Sequence, residues 1–107
     1  MSKINLTYGK TEYTLEYSRQ SVKTMENQGF VLDELTAKPM NMIPLLFAGA
    51  FIKNHRGVKR KVIDEIFDNI ENKTGLMEAL MEMYAETLSS LTEDNQGEGN
   101  VSWAMVK

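Results

Sequence analysis

The chain contains no cysteine. That excludes disulfides and thiolate metal sites. It has a single histidine, His55, and a single tryptophan, Trp103. General acid–base work needs a positioned partner, and the sequence offers His55 none that assembles a convincing Ser–His–Asp arrangement. Basic excess is also missing. The net charge of −3 gives no broad cationic field for nucleic acid or a membrane surface. No apolar run is long enough for a bilayer. Between Met42 and Ile52 there is no charge, but as a helix this stretch is only about 17 Å long. Met1-Ser2-Lys3 leads straight into an alternating pattern without an apolar signal segment, so the expected location is intracellular.

What is present is organised around residues Asn41 to Asn54, NMIPLLFAGAFIKN. Ile43, Leu46, Phe47, Ala50 and Phe51 fall on one helical face, and Met42, Leu45, Ala48 and Ile52 cover a second side. This pattern predicts a central helix buried on two sides, capped by Asn41 and stopping near Gly57. In that frame Pro44 falls in the first turn, where the missing N–H costs nothing.

The rest of the chain follows in order. Residues Lys3 to Tyr17 read as a β-hairpin with Gly9-Lys10 as a type II′ turn. The register that sets Tyr8 opposite Thr11 also sets Leu6 opposite Tyr13 and Ile4 opposite Leu15. All four of these last residues then share a face, and Lys3 meets Glu16 on the other. Ser18 is the expected N-cap of a helix to about Gln28, closed by Gly29 with Phe30 or Val31 as the accompanying contact. Leu32 to Ala37 reads as a short helical turn or linker ended by Lys38-Pro39. Lys59 to Ile70 is a helix with Val62, Ile63, Ile66, Phe67 and Ile70 as its apolar stripe. Thr74 is a candidate N-cap for the last helix, Leu76 to Leu91, whose main face carries Leu76, Ala79, Leu80, Met83, Thr87 and Leu91. From Thr92 the composition turns polar and acidic, which predicts a disordered tail. Val101 to Val106 forms an apolar island inside it. The expected fold is α+β: an N-terminal β-hairpin packed on about four helices, with residues 1–91 as one domain and 92–107 as a flexible tail.

Candidate sites are few. His55, beside Arg56 at a helix end, needs no role beyond that of a charge at a helix C-terminus. The acidic pairs Asp33-Glu34, Asp64-Glu65 and Glu93-Asp94 read as solvated faces. Lys53, Arg56, Lys59, Arg60 and Lys61 form a local basic cluster. It reads either as a solvated loop and helix start or as a contact for nucleic acid or an acidic partner. No aromatic platform accompanies it. The methionines carry more information. Met77, Met81 and Met83 lie on the last helix, where they either fill an irregular core or adapt to a partner surface. Trp103 is either a loose tail aromatic or part of a recognition segment. No catalytic residue, metal ligand or cofactor is expected.

The order of these features resembles the tail assembly chaperones of long-tailed bacteriophages, especially those of phages and prophages of Gram-positive bacteria. The resemblance covers about Lys3 to Leu91 and is carried most by Leu45-Leu46-Phe47-Ala48-Gly49-Ala50-Phe51. The basic helix start after His55-Arg56-Gly57 departs from the acidic start of many relatives. The resemblance implies a non-enzymatic protein of the host bacterial cytoplasm. Such a protein coats and solubilises the tape measure protein and helps recruit tail tube subunits, and self-association suits that role. Phe47, Phe51, Met77, Met81, Tyr84, Leu88 and Trp103 are the expected partner-binding residues, with the basic cluster as a charged contact. The alternative is a small phage or bacterial regulator that uses the cluster at 53–61 on nucleic acid.

Overall fold

A computed structural model describes residues 2–92 and 101–106. Its elements are β1 (Ile4–Tyr8), β2 (Thr11–Leu15), α1 (Arg19–Asn27), a 3₁₀ turn (Leu32–Glu34), α2 (Pro39–Gly49), α3 (Arg60–Asp68) and α4 (Lys73–Ser89). The architecture is α+β, a two-stranded antiparallel hairpin followed by four α-helices. Helix α1 packs on α2 and α4, and α2 packs on α3. The polar stretch expected to be disordered lies, for residues 93–100, outside the described residues.

The hairpin has the expected register, Ile4 with Leu15, Leu6 with Tyr13 and Tyr8 with Thr11. Gly9 has φ of +63°, as the first central position of a type II′ turn requires. Leu15 is fully buried, while Ile4, Leu6 and Tyr13 are half-buried and pack against the core. One pairing differs from expectation. The ladder stops at Ile4 and Leu15, and Glu16 forms its ion pair with Lys53. The Lys53 hydrogen bond holds the Glu16 carboxyl below its usual range, with Lys3 contributing only a weaker attraction.

Helix α1 shows how strongly local chemistry can determine an element. Ser18 and Ser21 form a reciprocal capping box. At the other end Phe30 N donates to Met25 O at 3.0 Å and Gly29 N to Glu26 O at 3.1 Å. With Gly29 at φ +100° this is a complete Schellman motif. Phe30 supplies its hydrophobic contact and is buried, whereas Val31 stays exposed.

The central helix departs from expectation at both ends. It begins at Pro39, with Lys38 rather than Asn41 in the cap position and no side-chain cap. Proline suits the first helical position because its fixed φ is already helical and its missing N–H would have no partner. Pro44 therefore sits inside the helix, and the carbonyl of exposed Met40 lacks the amide that a helix would normally give it.

The helix ends at Gly49, several residues early. Its last carbonyls are satisfied by other means. Ala50 N reaches Phe47 O, Phe51 N reaches Ala48 O, and Ile52 N reaches Gly49 O. Glu16 N, from the exit of β2, donates to Ala50 O at 3.1 Å. The tightened turn brings Ala50 and Phe51 into the core beside Phe47. Gly49 lies where α1 crosses. A Cβ there would stand 2.3 Å from the sulfur of Met25, itself fully buried.

Helix α3 buries Ile63 and Ile66, with Val62, Phe67 and Ile70 half-buried beside them. Helix α4 is capped by Asn72, not Thr74. Asn72 adopts the left-handed conformation at φ 54°, and its side chain accepts from Gly75 N at 3.2 Å. Asparagine tolerates that backbone better than a β-branched residue.

Candidate functional site

Three of the expected partner-binding residues belong to the core. Phe47 and Phe51 are 1% exposed and Tyr84 is 3% exposed, so none of them can meet a partner in this fold. Their neighbours account for this. Phe47 packs against Phe51 and Phe67, each with ring centroids 5.2 Å apart. Tyr84 presents its ring to Phe30 at 5.3 Å and to Tyr17 at 5.7 Å. Burial raises the Tyr84 phenol above its ordinary value. Met77 is half-buried against the core.

The expected residues that remain accessible are Met81, Leu88 and Trp103, at 42%, 36% and 85% exposure. Two of them sit on one feature. Met77, Met81, Tyr84, Leu88 and Leu91 follow one another at spacings of four, three, four and three along α4 and its final turn. This is the seam spacing of helix-on-helix packing. Its centre, Tyr84, is sunk into the core, while Met81, Leu88 and Leu91 stand out on the surface. Beside the seam, Phe30, Val31, Leu32, Tyr84 and Leu88, with the carboxylates of Glu26 and Asp33, line a hollow of about 450 Å³. Val31 and Leu32 are also exposed. The face is thus an apolar strip with a shallow trough beside it, about 15 Å long from Met81 to Leu91. Val31, Leu32 and Leu91 were not among the expected contacts. The four–three spacing is nevertheless visible in the sequence and could have singled out Leu91.

A second apolar concavity, of about 830 Å³, lies between the end of α1, the first turns of α2, and α3. Ile43, Pro44, Leu45 and Phe67 line it, Met40 stands at its mouth, and Arg60, Asp64 and Asp68 are its charged residues.

The basic cluster is less available than its composition suggests. Lys53 is held by Glu16, and Arg60 pairs with Asp64 at 3.1 Å. Arg56, Lys59 and Lys61 are exposed. His55 faces the hairpin. Its Nε2 accepts the Thr14 N–H at 2.9 Å, and its ring meets Tyr13 edge-on at 5.1 Å. Asn54 Nδ2 donates to Thr14 O at 3.1 Å, so the turn after α2 is fastened along β2. His55 thus has a structural role rather than that of a charge at a helix end.

Among the described residues there is no group of three or more His, Asp or Glu side chains placed to hold a metal ion. Among the same residues no helix is long and apolar enough to cross a membrane.

The chain belongs to the DUF5055 family, a domain of unknown function whose pattern matches residues 1–106. Comparison with curated proteins and with solved structures gives no match.

Proposed function

We propose that this protein is a non-enzymatic tail assembly chaperone of a long-tailed bacteriophage, acting in the host bacterial cytoplasm. In this reading it coats the tape measure protein, keeps it soluble, and helps recruit tail tube subunits. The observation that carries the reading is the exposed seam of Met81, Leu88 and Leu91 beside Val31 and Leu32. A client that is a long amphipathic helix needs its apolar stripe covered before the tail tube encloses it. A strip with four–three spacing and a trough alongside can accept such a helix. Methionine at position 81 adapts to a client sequence that varies along its length. Each contact is small and therefore weak, and many copies on one client supply avidity.

The test is co-expression with the long helical protein encoded nearby. Wild type should keep the client soluble. Met81→Asp with Leu88→Asp should not, while keeping the helical circular dichroism of wild type, since both side chains are exposed. Equal solubilisation by the double variant would remove this face as the site. Failure of wild type with every long helical protein encoded nearby would remove the chaperone reading.

The regulator reading rests on exposed Arg56, Lys59 and Lys61. Duplex DNA binding that weakens steeply with salt would favour it.

A further inference from the structure

The hollow beside the α4 seam combines an apolar lining with two carboxylates, Glu26 and Asp33. Both residues are exposed, and neither is in an ion pair among the described residues. No lysine or arginine lines the hollow. The two cations of α1 leave the carboxylates free. Arg19 is turned to Ser90, and Lys23, three residues before Glu26, makes no ion pair with it.

The neighbouring phenols add a second observation. Tyr17 donates its hydrogen to Leu46 O. Tyr84 lines the hollow, is 3% exposed, and has no hydrogen-bond partner among the described residues. Burial first and the charge of Glu26 second raise its phenol above the ordinary value, so the carboxylate and the hydroxyl sense one another. A buried phenol usually finds a partner. Here an unpartnered phenol oxygen and two unpaired carboxylates share one apolar hollow. Ammonium and guanidinium groups are pure donors. Each is carried on an apolar stem that packs along hydrophobic surface while its head stays with polar groups.

We infer that this hollow receives a lysine or arginine side chain of the partner, so that the helix docked on the seam carries an apolar stripe bordered by basic residues. The stem packs on Phe30 and Leu88, and the charged head meets the Tyr84 hydroxyl and the carboxylates of Glu26 and Asp33. The other border of the seam has the same sign of charge, since Glu78 and Glu82 are exposed on α4 beside Met81. An ion pair in open water contributes little. A helix lying over the seam covers the hollow, and a charge-assisted hydrogen bond shielded in this way contributes more. The inference rests on the reading of the seam as a helix-binding face and adds the charge of what binds there.

The experiment titrates the full chain into two labelled synthetic helical peptides and follows fluorescence anisotropy. Both peptides carry the same leucine stripe at four–three spacing; one has lysine along its borders and the other glutamine. The lysine peptide should bind at least about tenfold more tightly, and the difference should shrink as salt is added. Glu26→Gln with Asp33→Asn should abolish the difference. Glu65→Gln with Asp68→Asn makes the same change in net charge at exposed positions of α3 and should preserve it. Tyr84→Phe should weaken the lysine peptide and leave the glutamine peptide unchanged. Met81→Ala with Leu88→Ala should weaken both.

Equal binding of the two peptides would overturn the inference and leave the seam as a helix-binding face. A preference that survives Glu26→Gln with Asp33→Asn, or that disappears equally in the α3 variant, would reduce it to a general attraction to an acidic protein and would overturn it too. So would a preference indifferent to Met81→Ala with Leu88→Ala, which would place the cation away from the seam. Binding of neither peptide would overturn the seam reading together with the inference.

Discussion

The hydroxyl of Tyr17 donates to the main-chain carbonyl of Leu46 at 2.6 Å inside the core. That carbonyl is one of the orphan acceptors at the end of α2. The amide that would serve it in a longer helix, that of Ala50, bonds to Phe47 instead. Tyr17 is thus a C-cap contributed by another part of the chain. Its backbone neighbour Glu16 serves Ala50 O in the same way.

Tyr17→Phe should therefore destabilise the fold by about 1–3 kcal/mol at neutral pH, because it leaves a buried carbonyl unsatisfied. The variant should also change the alkaline limb. Burial, reinforced by neighbouring Tyr84, raises the Tyr17 phenol well above its ordinary value of 10.0. Stability tied to the protonated phenol is fully present below pH 10 and is lost as pH rises towards the folded value, since only the unfolded chain releases the proton. Denaturation midpoints measured between neutral and strongly alkaline pH should fall less steeply above pH 10 in Tyr17→Phe than in wild type. Parallel slopes would show that Tyr17 ionises as freely in the fold as out of it.

Gly49→Ala tests the crossing of α1 and α2. Alanine is the better helix former by about 1 kcal/mol. Its methyl, however, would stand 2.3 Å from the Met25 sulfur, in a core where Met25 is fully buried. Overpacking of this kind costs about 1–3 kcal/mol, so the net effect should be a lowered melting temperature. Gly49→Ala combined with Met25→Ala should recover part of the loss due to Gly49→Ala when compared with Met25→Ala alone. A stabilised single variant would mean that the helices separate at no cost.

His55→Ala should cost about 0.5–1.5 kcal/mol through loss of the acceptor for Thr14 N–H. The specific readout is amide exchange. Thr14 should exchange faster than in wild type, while the amides bonded within α4 keep their protection. Unchanged protection at Thr14 would show that His55 does not hold this edge of β2.

The hairpin, the Ser18 cap and the Gly29 closure were legible in the sequence because each depends on residues close together in the chain. Type II′ geometry needs glycine first, alternation allows one register that puts Ile4, Leu6, Tyr13 and Leu15 on a single face, and a capping box spans one helical turn. The apolar stripe of α3 was legible for the same reason. The ends of α2 were not. Periodicity continues unbroken through Ala50 and Phe51, whereas the helix stops at Gly49 with two of its end carbonyls served from far away in the chain, by the Glu16 amide and the Tyr17 hydroxyl just after β2.

The candidate site divides along the same line. The sequence by itself determined that this chain has no disulfide and a single imidazole, and that three of its eight methionines fall on the last helix. Spacing alone could not rank the residues of that helix. Met81, Tyr84 and Leu88 share one stripe, and tertiary structure decided that Tyr84 is core while its two neighbours are surface. The physical reason is the position of Phe30 and Tyr17, whose rings close over Tyr84 and leave Met81 and Leu88 uncovered. Phe47 and Phe51 were removed from the surface likewise: Phe47, within α2, packs against Phe67, and the tightened turn after Gly49 carries Phe51 inward against Phe47 and Tyr13.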